Sequence, residues 1–110
     1  MDDGERAYPE SSMSRELIVS REAESELTET HDWYETRSTG LGSEFLLSVD
    51  ACFNSILRTP QIYPVVYNNL RRALLRRFPY QVFFLEEGER IVVLAVFHGK
   101  RNPKHWQKRV

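Results

Sequence analysis

The sequence predicts an α+β fold in which an αα-hairpin packs on one face of a twisted antiparallel β-sheet, in the order β-α-α-β-β-β-β. Two patterns carry this prediction. Apolar side chains recur at three- and four-residue spacings through the first half of the chain, and after Pro60 the period changes to two, with β-branched and aromatic residues. A chain of 110 residues, 41% apolar and 28% charged, has room for one hydrophobic core of this kind.

The first half of the chain predicts one short strand and two helices. The strand spans residues 16–19, and Ser20 then supplies an N-cap hydroxyl to a helix over residues 21–37. The Gly-Leu-Gly segment at 40–42 interrupts the helical pattern, because glycine adopts positive φ angles readily. A second amphipathic helix then continues to Pro60, so the two helices form a hairpin.

Four more strands are predicted after the second helix. They lie at about Val65–Tyr67, Arg72–Arg76, Tyr80–Leu85 and Ile91–Phe97. The connections between them are short, so neighbouring strands run antiparallel. The last strand is continuously apolar, which places it at the centre of the sheet with both faces covered at least in part. The sheet face opposite the helices is expected to be open and available to a ligand.

The N-terminal segment differs from the rest of the chain in composition. Residues 1–14 hold almost no branched aliphatic side chains and include Pro9 and a serine cluster, which predicts a disordered tail before one domain over residues 15–110. Met13 lies just before the first strand, so a start of translation at Met13 in place of Met1 is left open. No apolar run approaches the roughly 20 residues that span a bilayer, which indicates a cytoplasmic protein.

The distribution of charge separates the two halves of the chain. Residues 1–64 contain 5 basic and 13 acidic side chains, a net charge of −8, whereas residues 65–110 contain 10 basic and 3 acidic side chains, a net charge of +7. This split predicts a dipolar molecule if the fold keeps the two halves on different faces. The basic half then attracts polyanions or acidic segments of a partner protein.

The positions of cysteine and histidine give no support for a cofactor. Cys52 is the only cysteine, so we expect neither an intramolecular disulfide nor a cysteine-based zinc site. His31, His98 and His105 are far apart in the sequence and show no HxxxH spacing. We therefore expect no metal and no cofactor.

Two stretches in the basic half carry a family resemblance. They are RRALLRRFPYQV at 71–82 and VLAVFHGKRNP at 93–103, with Trp106 following. In order and spacing they resemble the RelE/ParE superfamily of toxins from type II toxin–antitoxin systems. Three shorter motifs are similar to the plasmid-stabilisation branch of that superfamily: DWY at 32–34, GLG at 40–42 and PQIYP at 60–64. The resemblance covers about residues 17–109.

The resemblance implies a bacterial toxin that arrests growth. Such toxins are neutralised by an antitoxin whose acidic or amphipathic C-terminal segment wraps the toxin, and the charge split agrees with a partner of this kind. Members of the superfamily act in two ways, either by ribosome-dependent cleavage of messenger RNA or by poisoning DNA gyrase. The first way makes the protein an enzyme and the second does not.

If the protein is a ribonuclease, its catalytic candidates are Tyr80 and His98, on their chemistry and position, and Arg101, which the resemblance matches to an arginine just after the last strand. Metal-free RNA cleavage needs a base for the 2′-hydroxyl, an acid for the leaving 5′-oxygen and cations for the phosphorane. The match is incomplete, because Tyr80 stands where the similar ribonucleases carry an arginine and Trp106 replaces a tail tyrosine. An indole cannot transfer a proton at neutral pH. The sequence therefore favours a ParE-like gyrase inhibitor and keeps the RelE-like messenger RNA endoribonuclease as the alternative.

Two sets of residues are candidates for binding a partner. The basic set, for nucleic acid or the antitoxin, consists of Arg71, Arg72, Arg76, Arg77, Lys100, Arg101, Lys104 and Trp106. The apolar set, for an antitoxin groove along the hairpin, consists of Leu27, Tyr34, Leu46 and Phe53. A non-catalytic nucleic-acid-binding module is a second alternative, although the sequence has no RNP, KH or helix-turn-helix signature.

Overall fold

The helical hairpin lies on one face of a β-sheet, as the sequence predicts. A computed structural model describes residues 6–8, 15–99 and 107–109. Its elements are β1 (Arg6–Tyr8), β2 (Glu16–Val19), α1 (Arg21–Arg37), α2 (Leu41–Arg58), a 3₁₀ turn (Pro60–Ile62), β3 (Val65–Tyr67), β4 (Leu70–Leu74), β5 (Tyr80–Glu87) and β6 (Arg90–His98). The strand order β1-β2-β6-β5-β4-β3 places β6 inside the sheet. The α+β fold class is therefore confirmed.

Side chains cap both helices of the hairpin. Ser20 Oγ accepts a hydrogen bond of 3.2 Å from the Ala23 backbone N–H at the start of α1. Glu35, near the end of α1, accepts hydrogen bonds of 2.8 and 2.9 Å from the Gly40 and Gly42 backbone N–H groups, so its carboxylate caps α2. These two bonds hold the pKa of Glu35 below its ordinary value. Neither helix of the described residues is long and apolar enough to cross a membrane.

Gly42 lies where the two helices touch. A Cβ atom at this position would lie 2.6 Å from the His31 backbone oxygen and 2.8 Å from a carboxylate oxygen of Glu35. Gly40 has a different role, because its φ of +89° turns the chain between the helices. A Cβ atom added at Gly40 would have no other atom within 4 Å. The hairpin therefore needs Gly42 for close packing and Gly40 for backbone conformation.

The sheet is mixed, where the sequence predicted an antiparallel one. β2 pairs in parallel with β6, with Leu17 opposite Ile91. Short turns fix the antiparallel pairs from β3 to β6, whereas both helices and three strands separate β2 from β6 along the chain. β4 also begins two residues earlier than predicted, because Asn68, with φ of 51°, makes a tight turn directly after β3.

Both faces of the sheet carry buried side chains. The main core, between the helices and the sheet, includes Phe45, Phe53, Phe84, Ile91 and Val93. A second cluster on the opposite face consists of Leu70, Phe83, Ala95 and Phe97, each at most 1% exposed. The guanidinium of Arg109 covers part of this cluster, 4.8 Å from the centroid of the Phe97 ring. The expectation that this face is open is therefore wrong.

The N-terminal segment differs in part from the expected disordered tail. β1 pairs antiparallel with β2, with Arg6 opposite Val19, so residues 6–8 form a strand. The other residues of the segment 1–14, including Met13, lie outside the described residues. The domain boundary at residue 15 stays a prediction.

Arg109 joins the end of the described chain to α1 and β6. Its guanidinium donates to the Glu26 carboxylate at 2.8 Å and to the Leu94 carbonyl at 2.9 Å. Glu26 also accepts a hydrogen bond of 2.8 Å from the Val96 backbone N–H. Because β2 pairs with β6 only as far as Val93, these side chains satisfy backbone groups further along the β6 edge.

Candidate functional site

The consecutive arginines of β4 lie on opposite faces of the sheet. Arg71 pairs with Phe84 of the main core, and Arg72 pairs with Phe83 of the second cluster. The Arg71 guanidinium donates to the Tyr63 carbonyl at 2.6 Å and so anchors the connection between α2 and β3. Arg71 and Arg72 therefore do not share a binding face, because successive residues of a strand alternate in direction.

A cleft at the end of the sheet brings together two of the three predicted catalytic residues. Tyr80 and His98 are directly opposite each other on β5 and β6, and their ring centroids are 5.3 Å apart. Arg72 and Gln81 line the same cleft, which has a volume of about 410 Å³. Arg101, the third catalytic candidate, lies outside the described residues. The described part of the cleft therefore combines a phenol, an imidazole and one guanidinium.

The Tyr80 ring is part of the main core. Its centroid is 5.5 Å from that of Phe45 and 6.2 Å from that of Tyr34. Burial, together with the neighbouring Tyr80 phenol, raises the pKa of Tyr34. Tyr80 thus has a structural role in this aromatic cluster whatever else its hydroxyl does.

A second concave surface lies between α2 and the turn that joins β4 to β5. We call it the basic groove, and its volume is about 540 Å³. Its apolar and charged lining residues are Leu47, Leu74, Glu44, Arg58, Arg76 and Arg77. Leu47 is 68% exposed and Leu74 is 63% exposed, which is far more than residues of a closed core allow.

Two contacts hold the β4–β5 turn against α2, and a third lies within the turn. Ser48 Oγ donates to the Arg76 carbonyl at 2.8 Å, and the Arg77 guanidinium lies 2.8 Å from a carboxylate oxygen of Glu44. Arg77 adopts a φ of 74°, and its guanidinium lies 5.7 Å from the centroid of the Phe78 ring. The Arg76 carbonyl and the Arg77 guanidinium are thus held beside α2. Both arginines nevertheless remain exposed.

Sequence reasoning missed Leu47, Leu74 and Arg58. Leu47 lies off the apolar stripe of α2, and this was the available signal, because an apolar residue outside the buried stripe is exposed. Cys52 lies in the same groove but is not a nucleophile, since burial raises the pKa of its thiol to about 12.

A third concave surface, between α1 and α2, contains part of the predicted apolar set. We call it the acidic cleft; it has a volume of about 350 Å³, and its lining includes Leu27, Leu46, Glu24, His31 and Asp50. Burial raises the pKa of Asp50. The structure does not bring Phe53 or Tyr34 to this cleft, because Phe53 is buried in the main core and Tyr34 packs against Phe45 and Phe78.

The structure does not describe the remaining candidates of the basic set. Lys100, Arg101, Lys104 and Trp106 lie outside the described residues. Within residues 15–99 and 107–109, no group of three His, Cys, Asp or Glu side chains is arranged to hold a metal ion.

Two comparisons with known proteins indicate one family, and a third supports the fold. The family model described as "ParE toxin of type II toxin-antitoxin system, parDE" matches residues 17–103. "Toxin ParE2" of Mycobacterium tuberculosis, found in two strains, is 32% identical over 92 residues, which cover 83% of this chain and 88% of the relative. A solved structure, "Chromosomal ParDE TA system from P. aeruginosa", matches with a TM-score of 0.65 and 17% identity over 73% of this chain and 90% of that chain.

Proposed function

This chain belongs to the ParE toxin family of type II toxin–antitoxin systems, and on that premise we propose that it arrests bacterial growth by inhibiting DNA gyrase. The chain is the toxin of such a system, and its partner is a cognate antitoxin. We further propose that it acts in the cytoplasm, where gyrase and the antitoxin are available. Inhibition of this kind requires binding and no bond-breaking step by the toxin itself.

The observation that carries the proposal is the environment of Tyr80. Its ring packs against Phe45 and Tyr34, so core packing accounts for this aromatic side chain without a catalytic role. Arg71, which would be a source of cationic stabilisation, lies on the other face of β4 from Arg72 and donates to the Tyr63 carbonyl. The described part of the cleft thus offers one guanidinium for the charge that develops on a phosphorane, which supports a binding mechanism over cleavage.

The experiment that tests the proposal measures gyrase directly. Purified toxin is added to DNA gyrase, relaxed plasmid and ATP, and supercoiling and the amount of cleaved DNA trapped on the enzyme are followed. We expect supercoiling to fall as toxin is added. In cells, thymidine incorporation should fall before leucine incorporation after induction without antitoxin. Intact supercoiling together with an early loss of leucine incorporation would establish messenger RNA cleavage instead.

The variant Tyr80→Phe separates the two mechanisms at one oxygen atom. It keeps the aromatic ring in the core and removes the only atom of Tyr80 that can transfer a proton. A gyrase inhibitor should keep its growth arrest within about twofold, whereas a ribonuclease that uses this hydroxyl should lose on the order of a hundredfold. Toxicity of each variant is compared at equal protein level in the same strain.

A further inference from the structure

We propose that two copies of this chain form a dimer through the outer edge of β3, with the two strands antiparallel and related by a two-fold axis at Val65. β3 is the last strand of the sheet, and among the described residues no strand pairs with its outer side. The outer side of an edge strand is a template for a strand of another chain. This dimer involves neither gyrase nor the antitoxin, so its test is independent of the proposed target.

The backbone of Val65 faces the open side of β3. Val65 lies opposite Arg71 on β4, and the Arg72 N–H donates to the Pro64 carbonyl at 3.0 Å. In an antiparallel ladder, a bond of this kind flanks a pair of residues whose own backbone groups point away from each other. The N–H and C=O of Val65 therefore point away from β4. Two copies related by a two-fold axis at this residue can exchange both hydrogen bonds.

The segment around β3 lacks the charges that usually keep an edge strand apart from other chains. Residues 59–70 contain no charged side chain, although 28% of the whole chain is charged. Within this segment Ile62 is 69% exposed, Val65 is 51% exposed and Tyr67 is 37% exposed. A second copy brings the same uncharged side chains to the contact, so no like charges meet. An acidic segment, by contrast, would find no basic side chain in residues 59–70.

The opposite edge of the sheet differs from the β3 edge in this respect. β1 contains Arg6, and Glu5, Pro9 and Glu10 lie close to it in the sequence. Charged residues and proline at an edge oppose pairing with another chain. Two copies that pair at β3 thus present no further uncharged edge of the described sheet, and the assembly closes as a two-fold dimer. The register shift that follows Val65 limits the length of the ladder, so we expect a weak dimer.

The first experiment measures self-association of the purified full-length toxin by sedimentation velocity. We expect the wild type to change from monomer to dimer between about 1 and 200 µM. Val65→Lys and Val65→Glu each place like charges opposite each other on the two-fold axis, and each should raise the dissociation constant by about tenfold. An equimolar mixture of these two variants should recover the wild-type affinity, because the paired charges are then opposite.

Trp33 provides the matched control, because its side chain is 50% exposed and belongs to α1. Trp33→Lys and Trp33→Glu remove an equally exposed apolar side chain outside residues 59–70, and each should leave the dissociation constant within about twofold of the wild type. Circular dichroism checks that every variant is folded. Equal weakening by the Trp33 and Val65 variants would show that general hydrophobic association, and not the β3 edge, joins the copies.

Val65→Cys tests the position of the two-fold axis without a change of charge. Opposite residues that exchange hydrogen bonds in an antiparallel pair have Cα atoms about 5.5 Å apart, which is within the range of a disulfide. Oxidation should therefore link two copies of Val65→Cys, whereas Trp33→Cys at the same concentration should stay unlinked. Cys52 is buried and is present in both variants.

Three results would overturn the proposal. The first is a wild type that stays monomeric over the whole concentration range. The second is a dimer that Val65→Lys and Val65→Glu leave intact, or a mixture of the two variants that does not recover the affinity. The third is equal disulfide linkage from Val65→Cys and Trp33→Cys, which would place the contact elsewhere.

Discussion

The two sides of α2 differ in charge although one helix provides both. On the side of the β4–β5 turn, the basic groove is lined by Arg58, Arg76 and Arg77. On the side of α1, the acidic cleft is lined by Glu24 and Asp50. Among the described residues, α2 therefore separates a groove lined by three arginines from a cleft lined by two carboxylates.

The two surfaces also differ in how much of their apolar side chains they expose. The apolar residues of the acidic cleft are mostly covered, since Leu27 is 4% exposed and Leu46 is 36% exposed. Leu47 and Leu74 in the basic groove are each more than 60% exposed. Exposed apolar side chains within a ring of charge are typical of a protein interface, so the basic groove is the better docking surface.

The largest effect should come from breaking the helical hairpin that holds both surfaces in place. Gly42→Ala puts a Cβ atom 2.6 Å from the His31 backbone oxygen, so α1 and α2 must separate. We expect the free energy of unfolding to fall by about 3 kcal/mol. Urea denaturation followed by circular dichroism measures this change, and antitoxin binding should weaken with it.

Gly40→Ala is the matched control for that variant. Its Cβ meets no atom within 4 Å, but its φ of +89° strains any residue with a side chain. The expected loss is about 1 kcal/mol, from the backbone alone. Equal losses for the two variants would mean that helix packing at Gly42 is not the cause of its effect.

The next effect separates the two surfaces through the salt dependence of antitoxin binding. If the basic groove attracts an acidic segment, the association rate of the wild type should fall by about tenfold between 50 and 500 mM salt. The double variant Arg58→Glu/Arg76→Glu should bind slowly at all salt concentrations. Stopped-flow fluorescence, with exposed Trp33 as one reporter, measures these rates.

A charge change in the acidic cleft is the control for the salt experiment. Asp50→Lys alters the net charge in the opposite direction, on the other side of α2. It should keep the wild-type dependence on salt. If Asp50→Lys changes the rate as much as the groove variant does, net charge and not the groove controls association.

Periodicity and turn residues predicted most of the fold. The strand at 16–19 and the helix at 21–37 have the bounds that the sequence predicted, because capping and amphipathicity are local properties. The parallel pairing of β2 with β6 was missed, since it joins residues far apart in sequence. The buried cluster around Phe83 and Phe97 was missed for the same reason.

The site was less predictable than the fold. The sequence indicated Arg76 and Arg77 because basic residues are conspicuous, but it gave no means of telling that Arg71 binds the Tyr63 carbonyl. That contact depends on a turn that precedes β3. Leu47 and Leu74 belong to different elements, and their common groove appears only when β4 and its turn pack on α2. Partner surfaces of this kind depend on tertiary structure.

The acid dependence of stability tests the cap that the Glu35 carboxylate of α1 provides for α2. Hydrogen bonds from Gly40 and Gly42 lower the pKa of Glu35 in the folded state, so its contribution to stability is fully present above the unfolded pKa and is lost as pH falls through the folded pKa. The wild type should therefore lose stability below about pH 4, and Glu35→Gln should show less of this loss. Thermal denaturation between pH 3 and 7 measures both, and parallel curves would contradict this role.

The smallest effect concerns Asp50, whose pKa shifts in the opposite direction from that of Glu35. Burial in the acidic cleft raises the pKa of Asp50, so the folded protein binds this proton more tightly than the unfolded chain does. The resulting stability is present below the unfolded pKa and is lost as pH rises through the folded pKa. Asp50→Asn should therefore stabilise the protein at pH 7, by at most about 0.5 kcal/mol because the carboxylate is largely solvated, and should have no effect near pH 3. Destabilisation at pH 7 would mean that a favourable contact of the charged carboxylate outweighs its desolvation.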